Sequence, residues 1–476
     1  MTLAELLRTL AASPLVASVQ ASEGSPADSP EILLALAKAS LNQGVHLLRL
    51  QGVPNIALIR STTGAPTVGL IKQSYIESPV YITPTKTEVN SLLDLGCEVI
   101  ALDGTERHRP KGETLSDLIA EVHAGGSLAM ADCDSVESAK YSIFCGADIV
   151  GTTLAGYTDA RQPSEGPDLE LLRDLVQLGV PVLAEGRYNE RWQIEAALRI
   201  GAKAVVVGGA LNDPVKQTRA LMPLVPSAGA SIGAIDIGGT WLRFGKFDSE
   251  WRLVHSERTP NPPLREARLA WIREMAAKHA VSDLGIGTGG IVEPKTGICW
   301  TAKEYLMPDQ IGIEFSERTL GPPTKAHGDG HATAWGHACH PRFAGRRVAT
   351  IALGTGVGCG FVENGRIWAG RRGEYPRLND LPTSTGKTFE DVLGGLNLSS
   401  NPSSEQRKVA LAAFEEAVFA IRNLYFPDVI VIAGSVGLSD WMKPELVRME
   451  VEASPFGTDA GLFGAAALAL YPPRGE

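Results

Sequence analysis

Basic charge is in short supply in this chain. Across 476 residues, 44 Lys and Arg face 54 Asp and Glu, a net charge of -10. A nucleic-acid surface needs a basic patch, so that class of partner is excluded. Long hydrophobic runs are also missing. No stretch reaches the ~18 uninterrupted apolar residues of a membrane span. The tail DAGLFGAAALALYPP is short and rich in Gly and Ala, and predicts a packing helix. The first twenty residues lack a basic start and space their apolar residues as a helix does, so no signal peptide is expected. Cysteine is scarce, six residues with no CxxC pair. That pattern suits reduced thiols in a cytoplasm. What is present, 44% apolar and 21% charged residues, predicts a soluble globular protein of two ordinary domains.

In the first half, eight apolar runs rich in β-branched residues each precede a helix-like stretch. They are LVASVQ, GVHLLRL, TVGLIK, EVIALDG, LAMADC, DIVGTT, VPVLAEG and AVVVGGA. Amphipathic segments such as PEILLALAKASLNQ, EVNSLLDLG and RWQIEAALRIG lie between them. The alternation predicts an α/β fold, a (β/α)8 TIM barrel. Most of these runs end in polar residues: Gln20, Arg49, Lys72, Asp103, Asp132, Thr152 with Thr153, and Glu185. Strands often end where polar loops begin, but in a barrel those ends converge on the face that carries active sites. The last two turns, EGRYN and GGALND, offer glycine amides at Gly186, Gly208 and Gly209, where barrels commonly hold a phosphate.

These strand ends include no His, no nucleophilic Ser or Cys motif and no metal-ligand cluster. They do hold a Lys, a Glu and an Arg. A buried Lys can lose its proton and act as a base. A Glu across the pocket can move a proton on a sugar hydroxyl. Arg49 and the glycine amides can stabilise an enolate and a phosphate. The set suits proton exchange beside the carbonyl of a phosphorylated sugar. The segments GLIKQSYIESPVYITPT, ALDGTERHRP, ADCDSVESA, GADIVGTTLAGYT, LAEGRYN and GAKAVVVGGA resemble N-acetylmannosamine-6-phosphate 2-epimerases, through nearly all of residues 1 to 222. The resemblance implies a cofactor-free epimerase with Lys72 as base and Glu185 as its catalytic partner. It implies substrate contacts at Gln20, Arg49 and Asp132. One departure stands out. Where the family has AITRP after the last strand, this chain has ALNDP, and Asp213 replaces an arginine near the phosphate. A carboxylate repels a phosphate, so Arg187 or Lys216 is expected to supply the missing charge. Otherwise phosphate affinity is weaker.

The small-residue stretch VPSAGAS, with Pro and Gly, predicts a linker over 224–231 between domains at 1–223 and 232–476. The second half opens with IGAIDIGGTWLRFGKF, a hairpin carrying Asp236, Gly238, Gly239 and Thr240. Its amides and the Thr hydroxyl can hold phosphate, and Asp236 can act through Mg2+. A second turn, VATIALGTGVGCGFV, repeats the pattern with Gly354, Thr355 and Gly356. A third, DVIVIAGSVG, ends a strand at Gly434 and Ser435. Three such turns predict two similar lobes closing on a nucleotide. They resemble ROK-type sugar kinases, of the two-lobed actin and hexokinase-like fold, over residues 232 to 470. The resemblance implies ATP with Mg2+ and a catalytic Asp329 in TKAHGDGHATAWGH, which would accept the proton of the sugar 6-hydroxyl. Asp329 could equally cap the helix that follows.

The departures are heavier here. Gly328 replaces the family's Asn. GEYPR keeps Glu374, a sugar contact, but loses the histidine of GExGH, and the zinc-holding cysteine cluster is absent. The sugar turn reads GTGGIV and keeps Gly290. No zinc is expected. His337 and His340, three apart, could hold a metal, but the reading adopted is solvated helix histidines, with no metal site. Paired with the barrel, the kinase would phosphorylate N-acetylmannosamine and the epimerase would consume the product, as in sialic acid breakdown. Two rivals stay open. The second half could be a non-catalytic sugar sensor, although no helix-turn-helix precedes Gly233, or a kinase for another sugar. The barrel could be another phosphosugar isomerase or a lyase. A homo-oligomer is expected.

Overall fold

In the computed structural model, every residue is described except 23, 165, 224–228, 304, 306, 399, 400, 475 and 476. The chain divides into two compact units, Met1–Met222 and Pro223–Glu476. Most of the stretch expected as a linker lies outside the described residues.

In the first unit, eight parallel strands close into a barrel in chain order: β1 (Leu15–Val19), β2 (Leu47–Gln51), β3 (Thr67–Leu70), β4 (Val99–Asp103), β5 (Leu128–Asp132), β6 (Ile149–Gly151), β7 (Val182–Glu185) and β8 (Ala204–Val207). All eight apolar runs became strands. Side chains alternate between the two faces of a strand, and the alternation is visible in the packing. Val16, Leu47, Val68, Val99, Ala101, Leu128, Met130, Leu183 and Val206 fill the barrel interior. Their neighbours Leu48, Leu50, Ile100, Leu102, Ala129, Ala131, Val182 and Ala184 pack outward under the surrounding helices. The helix Leu3–Ala12 adds Leu6 and Leu10 to the interior cluster. The same parity carries Gln20, Arg49, Lys72, Asp103, Asp132 and Glu185 inward, above this apolar floor.

The second unit contains two sheets of one topology. The first comprises β9 (Ile232–Ile237), β10 (Trp241–Phe247), β11 (Leu253–Pro260), β12 (Asp283–Thr288) and, after the small ribbon of β13 (Ile291–Glu293) and β14 (Ile298–Thr301), β15 (Thr324–Gly328). The second comprises β16 (Val348–Leu353), β17 (Val357–Glu363), β18 (Arg366–Ile367), β19 (Val429–Ala433) and β20 (Glu452–Ala453). Their orders are β11-β10-β9-β12-β15 and β18-β17-β16-β19-β20. In each, the first three strands of the lobe run antiparallel and the last two join in parallel. This is the pair of similar lobes expected from the repeated glycine turns. The helices Asp329–Cys339 and Ala460–Leu470 lie together through Ala332, Ala334, Ala467 and Leu468. The apolar tail is thus the packing helix that its composition predicts. No described helix is long and apolar enough to cross a membrane.

Candidate active sites

At the barrel's inward face, Arg49 is buried and grips Asp132 with both terminal nitrogens, at 2.6 and 3.3 Å. Its Nε lies 3.2 Å from Glu185 Oε2. That approach is not aligned as a hydrogen bond, so Nε stays a buried donor without an acceptor. Thr153 Oγ1 stands 2.7 Å from Asp132 Oδ1 and 3.0 Å from Glu185 Oε2. A hydroxyl carries one hydrogen. It can serve both carboxyls only if one of them is protonated and donates to it. Glu185 fits that role. Burial pushes its pKa up, and the repulsion of Asp132 outlasts part of the pull from Arg49. Lys72 moves the other way. Burial and the Arg49 charge lower its pKa, against the attraction of Glu185 and Asp132. Its Nζ donates to Gln20 Oε1 at 2.7 Å, and Gln20 Nε2 in turn donates to Ser18 Oγ at 2.8 Å. Arg49 stays charged. Burial opposes this, but Asp132 and Glu185 together outweigh it and raise its pKa. The outcome is an amine shifted toward neutral and a carboxyl shifted toward protonated, both in the field of one guanidinium. Such a pairing suits proton exchange.

The loops after β7 and β8 carry the glycines expected to meet a phosphate. Asp213 is not a bare negative charge there. Its carboxylate accepts from Lys216 N at 3.0 Å and Ser22 Oγ at 2.9 Å, and pairs with Lys216 Nζ at 3.4 Å. Burial tends to raise its pKa, but these bonds outweigh burial and hold it low. The expected alternatives for the missing charge now separate. Arg187 is committed to the β6 loop, donating to Ala155 O at 2.8 Å, Ser164 Oγ at 3.2 Å and Gly166 O at 3.1 Å. Lys216 is solvent-facing, and its Nζ would lie 3.9 Å from a Cβ built on Gly209.

In the second unit a cavity of about 540 Å³ is bounded by all three glycine turns. Asp236, Gly238 and Gly239 reach it from the first turn, Gly354, Thr355 and Gly356 from the second, and Gly434 and Ser435 from the third. Gly290 and Asp329 line it too. At Gly434 the backbone has φ +85°, and a Cβ would fall 2.3 Å from Leu353 O, so only glycine fits. Asp329 opens the helix Asp329–Cys339 and accepts from Gly330 N at 2.7 Å. Burial lifts its pKa to about 7, with help from Asp236 and Glu390 and against the Gly330 bond. Asp236 is raised as well, by burial first, against Arg243 and with Asp459.

Known proteins match in the same two pieces. The sequence model of the NanE N-acetylmannosamine-6-phosphate epimerase family matches residues 33–223, and that of the ROK family matches 232–378. The "Bifunctional enzyme NanE/NanK" of Brucella melitensis is 30% identical over 505 aligned positions, covering 96% of this chain and 96% of that protein. The chain belongs to the bifunctional NanE/NanK family. Its first half is also 43% identical over 201 residues to an N-acetylmannosamine-6-phosphate 2-epimerase of Clostridioides difficile, covering 42% of this chain and 90% of that one. Among solved structures, the 2-epimerase of Clostridium perfringens is 40% identical, covers 45% of this chain and 94% of its own, and has a TM-score of 0.44.

Within the second unit some expected residues stand apart from the cavity. Glu374 does not line it; its Oε2 accepts from Arg372 N at 2.7 Å inside its own loop, and the adjacent Tyr375 takes the cavity wall. Thr240 does not line it either. Its hydroxyl lies 3.4 Å from Thr355 Oγ1, so it joins the first turn to the second. Of the helix histidines expected to be solvated, His331 and His337 are buried, while His340 is only partly covered. His337 meets Ser454 Oγ at 2.8 Å and Thr350 Oγ1 at 3.3 Å, and burial lowers its pKa to about 4. His331 is lowered by burial to about 3. This helix is covered on several sides; His337 finds two hydroxyl partners there, whereas His331 Nε2 is buried without one. Gly328, in place of the family's Asn, is also a packing matter, since a Cβ there would meet Gly290 O at 3.0 Å. Sequence reasoning missed Arg243. It is the cross-strand partner of Asp236 in the β9–β10 hairpin, with Nε 3.2 Å from Asp236 Oδ2, and it lines the cavity. Counting the register outward from the GGT turn would have found the pair.

Proposed function

We propose that the two units carry out successive steps on an amino sugar. The second unit transfers the γ-phosphoryl group of ATP to the 6-hydroxyl of N-acetylmannosamine. The first inverts carbon 2 of N-acetylmannosamine 6-phosphate to give N-acetylglucosamine 6-phosphate. The observation that carries the barrel step is the opposed pair on one inward face, Lys72 drawn toward its neutral amine and Glu185 toward its acid. In this account Glu185 moves protons for opening of the sugar ring. Neutral Lys72, held by Gln20, takes the proton from carbon 2 beside the C1 aldehyde, and a proton delivered to the opposite face of the resulting enolate completes the inversion. The unpaired Nε of Arg49 receives the oxygen on which charge builds, which such donors favour strongly. Gly208 and Gly209 amides with Lys216 hold the 6-phosphate.

For the kinase step, the glycine turns cradle the nucleotide phosphates and Asp329 accepts the proton of the attacking hydroxyl. Mg2+ enters with ATP. Burial raises both Asp236 and Asp329, and the charge of Asp236 adds to the rise at Asp329, a cost that an added cation would relieve. A second reading has one observation in its favour. Arg243 already pairs with Asp236, which suits a half that binds nucleotide and sugar as a sensor. Incubating the full chain with Mg-ATP and N-acetylmannosamine, and following products by NMR, decides between them. The 6-phosphate is expected first and the gluco epimer after it. No phosphorylated sugar would sink the kinase step, and a lasting manno product would sink the epimerase step. Six free thiols suit a reducing compartment, and cytoplasmic residence is part of the proposal.

A further inference from the structure

On the outer side of the second unit, away from the nucleotide cavity's lining, three side chains converge. His255 and Glu257 lie two apart on β11, so both project from one face of the strand. β11 is the edge of its sheet. His279 follows directly after the helix Arg265–Lys278. His255 Nε2 lies 2.9 Å and His279 Nε2 3.0 Å from the same oxygen, Glu257 Oε1, and the three ligand atoms all fall within 4.8 Å of one another. Lys278 Nζ reaches that oxygen too, at 2.6 Å.

With hydrogens on both Nε2 atoms, three donors would crowd one carboxylate oxygen, which has two lone pairs. The crowding has a simple resolution. An imidazole Nε2 that gives up its hydrogen becomes a metal ligand, and a cation replaces the hydrogens between nitrogen and oxygen. Tetrahedral zinc with bonds near 2.0–2.1 Å separates its ligand atoms by about 3.3 Å, close to the 2.9 and 3.0 Å from the two imidazole nitrogens to the carboxylate oxygen. The site is also partly fixed in place. The His279 ring stacks on Phe244, centroids 4.9 Å apart at 24°, and lies 4.6 Å from the His255 ring. Two imidazoles and a carboxylate form a donor set that suits zinc among common divalent ions.

We propose that His255, Glu257 and His279 form a zinc-binding site that clips the edge strand β11 to the end of the helix Arg265–Lys278. Lys278 is the group the ion displaces, and water completes the coordination. The site is separate from the cysteine cluster whose absence led to the expectation of no zinc, and it does not depend on either proposed activity.

The test uses the untagged full chain, stripped with a chelator, dialysed, and titrated with Zn2+ against a chromophoric competitor. One zinc per chain is expected, with a rise in the thermal midpoint of the second unit. His255→Ala and Glu257→Gln each weaken uptake by more than about tenfold and remove the thermal shift. Lys278→Ala, which removes the competing ammonium, binds zinc at least as tightly. His255 is exposed and outside the core, so its variant should keep the wild-type circular dichroism. The proposal fails if the wild type takes up no zinc. It fails equally if a folded His255→Ala/His279→Ala double variant retains it, or if Lys278→Ala loses it.

Discussion

Asp329→Asn separates what the fold prefers from what phosphoryl transfer needs. The folded pKa of Asp329 is raised from 3.8 to about 7, with burial as the largest cause. Ionisation therefore costs the folded state energy. The cost is absent below the unfolded pKa, grows as pH climbs from about 4 to 7, and is full above that. A rise of that size corresponds to at most about 4 kcal/mol. Asp329 is only half-buried where it meets the cavity, and water there roughly halves the figure, to ~2 kcal/mol. Asparagine keeps the shape, and its Oδ1 can still accept from Gly330 N. Scanning calorimetry near pH 8 should place the second unit of the variant ~4–8 °C above wild type, for a domain of this size. Near pH 5 the gap should shrink to less than half. Sugar phosphorylation should fall by about 10²–10⁴. A variant less stable than wild type near pH 8, or a gap that does not change with pH, would refute this reasoning.

Four further outcomes are expected. Arg49→Ala leaves Asp132 as a buried, unpaired charge and should cost the barrel about 3–5 kcal/mol, read by urea unfolding, along with the loss of epimerisation. Lys216→Ala should raise the KM for phosphosugar roughly tenfold with a smaller change in kcat. Arg187→Ala should instead lower the stability of the barrel, because its guanidinium serves loop carbonyls; an equal KM effect from both would contradict the assignment of Lys216. The rate of exchange at carbon 2 should rise with pH, as neutral Lys72 is the active form. The midpoint should fall below the ordinary lysine value of 10.5, and a midpoint at or above it would contradict the proposed environment.

Much of this architecture is written locally. Each barrel strand is a short β-branched run followed by an amphipathic helix, and period-2 alternation alone puts Gln20, Arg49, Lys72, Asp132 and Glu185 on one face. The glycine turns were legible for a similar reason. A turn pressed against a neighbouring carbonyl, as at Gly434, tolerates no side chain, so the residue type records the geometry. Much of what escaped depends on contacts between distant segments, though Glu374 and Arg243 do not. Glu374 matched a motif, yet its carboxylate closes its own loop. The histidines at 331 and 337 are polar by type but covered by strands and a helix from elsewhere in the chain. Arg187 and Lys216 were equal candidates by charge and sequence position, and only the placement of the β6 loop distinguishes them. The Arg243–Asp236 pair follows from hairpin register, a local rule, and was within reach of the sequence.

Epimerisation by the barrel turns on the amine of Lys72 acting at a carbon next to a carbonyl. The most direct measurement is NMR of N-acetylmannosamine 6-phosphate in deuterium oxide with the wild-type chain and with Lys72→Ala. Wild type should exchange the carbon-2 hydrogen for deuterium as the gluco epimer forms, while the variant binds the phosphosugar and exchanges nothing. Exchange that persists in the variant at the wild-type rate would contradict the account.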